Sequence, residues 1–146
     1  MPPIAAGEAA AAEQASEAWT YGWARRGQYF DQLLRDGSLP ELFRTIDNFT
    51  GGIATSIKSI DLNAATYQDA ARLTNRLNEY IDKLGEYEGG EMLETNVKLL
   101  NITDRVLNLV VPTGSMTAIQ RAAIEAARAR AMITNRYTVK IIITPL

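Results

Sequence analysis

Leu42-Phe43-Arg44-Thr45-Ile46-Asp47-Asn48 and Ile53-Ala54-Thr55-Ser56-Ile57-Lys58-Ser59-Ile60, either side of Thr50-Gly51-Gly52, are the stretch on which the reading of this chain turns. Both runs are short and mix apolar with polar residues, and the glycine pair between them is a turn signal, so the stretch reads as a β-hairpin. Side chains two apart on a strand share a face. Ser56 and Lys58 therefore stand side by side on the second strand, and Asp47 ends the first. A face carrying Asp, Ser and Lys makes a poor core, because buried charge is costly unless paired and Lys is rarely buried.

Upstream, residues 7–36 read as helix. Glu8 to Ala18 is rich in Ala and Glu, both strong helix formers, and Trp19, Trp23, Phe30, Leu33 and Leu34 suggest a buried stripe near the helical period. Gly27 is a candidate break, and Asp36-Gly37 followed by Leu39-Pro40 stops the run. Downstream, Ala70, Leu73, Leu77, Tyr80 or Ile81, and Leu84 recur at spacings of three and four, which predicts a helix over about 67–84, with Thr66 and Asp69 placed like a capping box. Glu88-Gly89-Gly90 marks a loop, and 91–104 follows neither period. Arg105 to Val111 reads as a strand stopped by Pro112. Thr117 and Gln120 form a capping box that opens a helix over about 118–132, with Ile119, Ala123, Ala126 and Ile133 inward and Arg121, Glu125 and Arg128 outward. Tyr137 to Thr144 closes the chain as a strand apolar enough to be covered on both faces. The order predicts an α/β class: a mixed central β-sheet flanked by helices, its last strand–helix–strand unit joining parallel strands by a right-handed crossover.

The 146 residues suit a domain that folds without covalent staples. There is neither Cys nor His. Disulfides, thiol chemistry, Ser–His–Asp catalysis and histidine metal sites are excluded together. Catalysis would have to use carboxylates, Lys, Arg, Tyr, Ser or a carboxylate-held hard cation. With 15 basic and 17 acidic residues the net charge is −2, which argues mildly against a passive nucleic-acid binder, although a local basic face would suffice. No apolar run is long enough to span a membrane, and no stable membrane insertion is expected. Met1-Pro2-Pro3 leads into an acidic, Ala-rich stretch that lacks the pattern of a signal peptide. That start suits a domain cut from a longer chain, with residues 1–21 a helical lead-in and 22–146 the functional domain.

Cleaving a phosphodiester without His or Cys requires carboxylates that hold a hard cation, a cation that activates water, and a positive group to neutralise the transition state. The hairpin has residues of these kinds. Arg26-Gly27-Gln28-Tyr29-Phe30-Asp31, Leu39-Pro40, Phe43-Arg44-Thr45-Ile46-Asp47, Ala54-Thr55-Ser56-Ile57-Lys58-Ser59-Ile60-Asp61, Tyr67 and Arg105 to Pro112, then Gln120 and a helix into a terminal strand, resemble the C-terminal toxin domains of bacterial contact-dependent growth inhibition proteins. In particular they are similar to the PD-(D/E)XK nuclease toxins of Burkholderia and related bacteria, several of which cleave transfer RNA. The resemblance covers about residues 22–144 and implies a PD-(D/E)XK nuclease-like fold. Asp47 would be the main metal ligand and Asp31 the helical carboxylate, where the group more often has Glu. Ser56 would stand at the motif's Glu/Asp position, as in the toxin subgroup, and Lys58 would stabilise the phosphorane or orient water. The resemblance further implies a divalent metal (Mg²⁺, or Mn²⁺ or Zn²⁺), a nucleic-acid substrate with tRNA foremost, a cognate immunity protein, and delivery from the producing cell surface into the cytoplasm of a target bacterium. A DNA endonuclease on the same scaffold and a non-catalytic interaction domain are the rival readings.

Plainer roles stand beside these. Asp47 also suits a turn cap, Lys58 a solvated strand position, and Asp31 an outer-face pair with Arg35 at i,i+4. Asp61 reads as a strand end and Gln120 as a cap. Arg121, Arg128 and Arg130 read as a solvated helix face before a phosphate rim, and Trp19, Trp23 and Phe30 as packing residues before base-stacking platforms.

Overall fold

A computed structural model describes residues 6–114 and 116–146, with side chains from residue 10 onward; residues 1–5 of the expected lead-in lie outside the described residues. The hairpin forms around Gly51 and Gly52, whose φ values of 60° and 81° are the left-handed pair that a tight two-residue turn requires and glycine adopts at least cost. It joins β1 (Asn48–Thr50) to β2 (Ile53–Ser59) in antiparallel register from Asn48↔Thr55 to Thr50↔Ile53. β1 is far shorter than the predicted 42–48 strand. Phe43 and Ile46 are both buried in one cluster, yet residues three apart on a strand face opposite ways. The chain coils to bury both, with Leu42 and Thr45 at positive φ. Asp47 consequently stands just ahead of β1 instead of ending a strand.

β5 (Asp104–Val111) lies parallel to β2, and β6 (Lys140–Pro145) parallel to β5, giving the order β1-β2-β5-β6. The sheet is mixed, as expected. Alternation along the strands splits the core in two. Ala54, Leu107, Leu109 and Val111 pack with α3 (Ala70–Gly85) and α4 (Ala118–Ala131) on one face. Ile57 and Val110 pack with α1 (Ala6–Ala18) and α2 (Trp23–Leu34) on the other, where Ala15, Ala18 and Phe30 are buried. The chain ahead of residue 22 thus contributes to the core.

Four local expectations are corrected. The upstream helix breaks at Trp19–Gly22 and not at Gly27, where Trp19 Nε1 donates to the Leu146 carbonyl at 2.8 Å. The cap of α3 is Asp69, which accepts from the Ala71 and Arg72 N–H groups, and not a Thr66–Asp69 box. α4 does carry the Thr117–Gln120 capping box, but it buries Gln120, Ala123, Ile124, Ala127 and Ala131 and leaves Ile119, Ala126 and Ile133 outside. Its phase is anchored by the Gln120 amide, which donates to the Leu62 and Tyr67 carbonyls. β6 is an edge strand with Ile142 exposed; β5, between β2 and β6, is the covered one. Residues 91–104 contain most of a small separate hairpin, β3 (Gly89–Met92) with β4 (Thr95–Lys98).

Candidate active site

β1 pairs with β2 only as far as Asn48↔Thr55. Beyond it, Asp47 takes over the outer edge of β2. Its N–H donates to the Thr55 carbonyl at 2.8 Å, and its Oδ2 accepts the Ile57 N–H at 2.7 Å. A carboxylate thereby fills the place of a strand partner and is fixed at the sheet edge. The N–H and C=O of a strand residue share an edge, so the Ile57 carbonyl opens on the same side.

α2 brings up the second carboxylate. Trp23, Gly27, Asp31 and Arg35 follow one another at spacings of four, which places them on one stripe running along α2 to its C-cap. Arg35 and Asp31 form the anticipated i,i+4 pair at 2.9 Å. The same Nη2 also lies 3.7 Å from Asp47 Oδ1, and Nη1 donates to the Pro40 carbonyl at 3.0 Å. One guanidinium therefore faces both carboxylates. Asp31 Oδ1 is buried without a hydrogen-bond partner. Burial pushes the Asp47 carboxyl up to about 6; the Ile57 N–H opposes the shift, the neighbouring Asp31 carboxyl adds to it, and Lys58 counters it.

Lys58 and Ser56 share the face of β2 turned toward α3, as strand alternation requires. Lys58 Nζ sits 5.6 Å from the centroid of the Tyr80 ring. Asp31, Asp47 and Lys58 line one cleft of about 830 Å³, with Arg26, Arg76 and Tyr67 among its walls. Ser56 does not line that cleft. It is buried and borders a smaller adjoining pocket of about 220 Å³ with Lys58, Thr45 and Glu79. Asp61 ends the strand region and accepts the Asn63 N–H. Arg128 and Arg130 pair with Glu125 and Asp82, and neither lines the cleft. Sequence reasoning missed two features. Arg35 was legible as a partner of Asp31 but not of Asp47, and Trp23, expected to pack inside, is 81% exposed and lines the cleft. The spacing of four from Trp23 to Asp31 was the available signal.

Among the described residues no group of three or more Asp, Glu, His or Cys is placed to hold a metal ion. Two carboxylates, Asp31 and Asp47, face the same Arg35 guanidinium. An orphaned buried oxygen on Asp31 beside a carboxyl raised by burial and by its neighbour's charge is an arrangement that a hard cation would relieve. Mg²⁺ commonly takes one or two carboxylates and fills its remaining positions with water and substrate phosphate. The residues fit such an ion; they suit Zn²⁺ poorly, since its usual His and Cys ligands are missing from the chain.

Residues 26–144 match the family model of the CDI toxin restriction endonuclease-like domain. Among solved structures, the chain is similar to one described as the CdiA-CT/CdiI toxin and immunity complex from Yersinia pseudotuberculosis. The TM-score is 0.62 at 23% identity, over 86% of this chain and 99% of that one. No curated protein sequence matches.

Proposed function

We propose that this chain, which belongs to the family of CDI toxin restriction endonuclease-like domains, is a metal-dependent nuclease that cleaves RNA, tRNA foremost, in a neighbouring bacterium. The observation that carries the reading is the meeting of Asp31, Asp47 and Lys58 in one cleft at the bare edge of β2. Asp47 and Asp31 would hold a divalent cation, Mg²⁺ or a similar hard ion. That ion, when bound, supplies a Lewis acid for the phosphate and a water of lowered pKa. Lys58, held over Tyr80, places a positive charge where negative charge develops on the attacked phosphate. Arg35 keeps both carboxylates turned toward the cleft.

RNA as the target rests on the resemblance to the tRNA-cleaving toxins of this group. Delivery into the target cytoplasm and neutralisation by a cognate immunity protein follow from the same resemblance. The name of the Yersinia structure, a toxin with its immunity protein, and the near-neutral charge, which suits a protein partner as well as a nucleic acid, support the second.

The test is to incubate the purified chain with total cellular RNA and with plasmid DNA, in Mg²⁺ and in EDTA, beside Lys58→Ala. Loss of tRNA that needs both metal and Lys58 is expected, with the variant slower by about 100-fold or more. Cleavage of DNA alone would move the target to DNA. Cleavage of neither, together with full toxicity of folded Asp47→Ala and Lys58→Ala chains in cells, would replace the nuclease with a binding domain.

A further inference from the structure

The chain has two tryptophans, and they are treated in opposite ways. Trp19 packs on Phe30 with ring centroids 4.8 Å apart and spends its indole N–H on the Leu146 carbonyl. Trp23, at the start of α2, is 81% exposed and lines the cleft that holds Asp31, Asp47 and Lys58. So large an apolar side chain is seldom left this open, and among the described residues it belongs to neither core cluster. Between Trp23 and Asp31 on the same helical stripe stands Gly27. A Cβ built there would meet nothing within 4 Å, so the missing side chain leaves a clear path along the helix from the indole to the carboxylates. That path spans eight residues, about 12 Å. Arg26 and Arg76 border the same cleft, and Arg26 Nε is buried without a hydrogen-bond partner.

We infer that Trp23 and the open groove over Gly27 form a base-stacking subsite for an unpaired nucleotide of the strand being cut, with Arg26 and Arg76 facing its phosphates. The inference rests on the nuclease reading. Its chemistry is that of single-strand recognition, in which aromatic faces take successive bases and cationic groups follow the backbone. A base inside a duplex has both faces covered by its neighbours, so the indole selects a loop, an end or a flipped-out nucleotide.

The experiment measures binding apart from cleavage. A labelled unpaired oligoribonucleotide and a blunt duplex are titrated in EDTA with the native chain, Trp23→Ala and Trp23→Tyr. Trp23→Ala is expected to bind the unpaired strand about ten-fold or more weakly, Trp23→Tyr to recover most of the loss, and duplex binding and melting temperature to stay unchanged. Tryptophan fluorescence should be quenched by the unpaired strand in the native chain and not in Trp23→Ala. Equal affinity of Trp23→Ala and the native chain for the unpaired strand overturns the subsite, as does a native chain that binds neither probe. Cleavage in Mg²⁺ is scored separately. If RNA is cut while Trp23→Ala binds normally, the subsite falls and the nuclease stands; if no nucleic acid is cut and folded Asp47→Ala and Lys58→Ala chains stay fully toxic in cells, the nuclease reading itself fails.

Discussion

The Asp47 carboxylate is held by a backbone N–H and pressed by burial and by Asp31, and the pressure wins, so its pKa sits near 6. A group raised above its unfolded value of 3.8 is more protonated in the folded chain between the two values. Stability therefore falls as pH rises from about 4 to about 6, and the ionised carboxylate is a standing cost above that. The Asp47 side chain is 19% exposed, so that cost is on the order of 1–3 kcal/mol. Asp47→Asn keeps an oxygen for the Ile57 N–H and removes the charge. The expected outcome is a melting temperature at pH 8 equal to or above that of the native chain, with cleavage abolished; a clear loss of stability would mean that the charge supports the fold. At limiting Mg²⁺ the activity of the native chain should fall as pH drops through about 6, because proton and cation compete for the same carboxyl, and a pH–rate profile checks this. Asp47 and Lys58 were legible because their residue types sit beside a turn and on an alternating strand. Arg35's reach to Asp47 was not, since it depends on how residues 36–46 coil, and Trp23's exposure was not, since periodicity finds a stripe without saying what covers it.

The hairpin is the element that aims these groups, and its turn does more than reverse the chain. The Gly52 carbonyl accepts the Thr103 N–H at 2.8 Å, docking the turn at the start of β5, where Ile53↔Asp104 opens the parallel register. A Cβ on Gly52 would come 2.8 Å from Thr103 Oγ1, whereas one on Gly51 would meet nothing within 4 Å, although both residues have positive φ. The two alanine variants separate conformation from contact. Gly51→Ala is expected to lose about 1 kcal/mol from the left-handed backbone alone, and Gly52→Ala about 1–3 kcal/mol, lowering the melting temperature by roughly 2–4 °C per kcal/mol. Equal losses would show that the packing on Thr103 is unimportant. The turn and β2 were legible from the glycine pair and the alternation after it. α3 was legible because Leu73, Leu77, Ile81 and Leu84 keep a strict helical period. The short β1 was not, because Phe43 and Ile46 look like strand residues and are buried by a coil. The β3–β4 hairpin was not either: its four-residue strands carry too few apolar residues to set a period, and one begins with the two glycines that signal a loop.

At the scale of the molecule, the candidate site gathers groups from three separately packed parts. Asp31 rides on α2 in one helical layer, Asp47 on the coil ahead of β1, and Lys58 on the strand face turned to the other layer. The element order already predicted a sheet between helices, but not that its edge would be the place where the layers open. The architecture has a thermodynamic consequence. An ion held by Asp31 and Asp47 together would tie α2 to the edge of β2 and would have no such pair to bind in the unfolded chain, so its binding would stabilise the fold. At a hundred-fold excess over the dissociation constant the gain is about 2.7 kcal/mol, or roughly 5–10 °C in melting temperature for a chain of this size. Mg²⁺ or Mn²⁺ is expected to raise the melting temperature of the native chain and to leave Asp31→Ala and Asp47→Asn unmoved. Lys58→Ala should keep the metal shift, or enlarge it by removing a competing positive charge, while losing cleavage. That split would assign the carboxylates to the ion and the ammonium to the phosphate. A Lys58→Ala chain that no longer responds to metal would instead make the lysine part of the site's framework, and a native chain that does not respond would turn the chemistry over to Arg35 and Lys58, with Arg26 and Arg76 on the cleft wall.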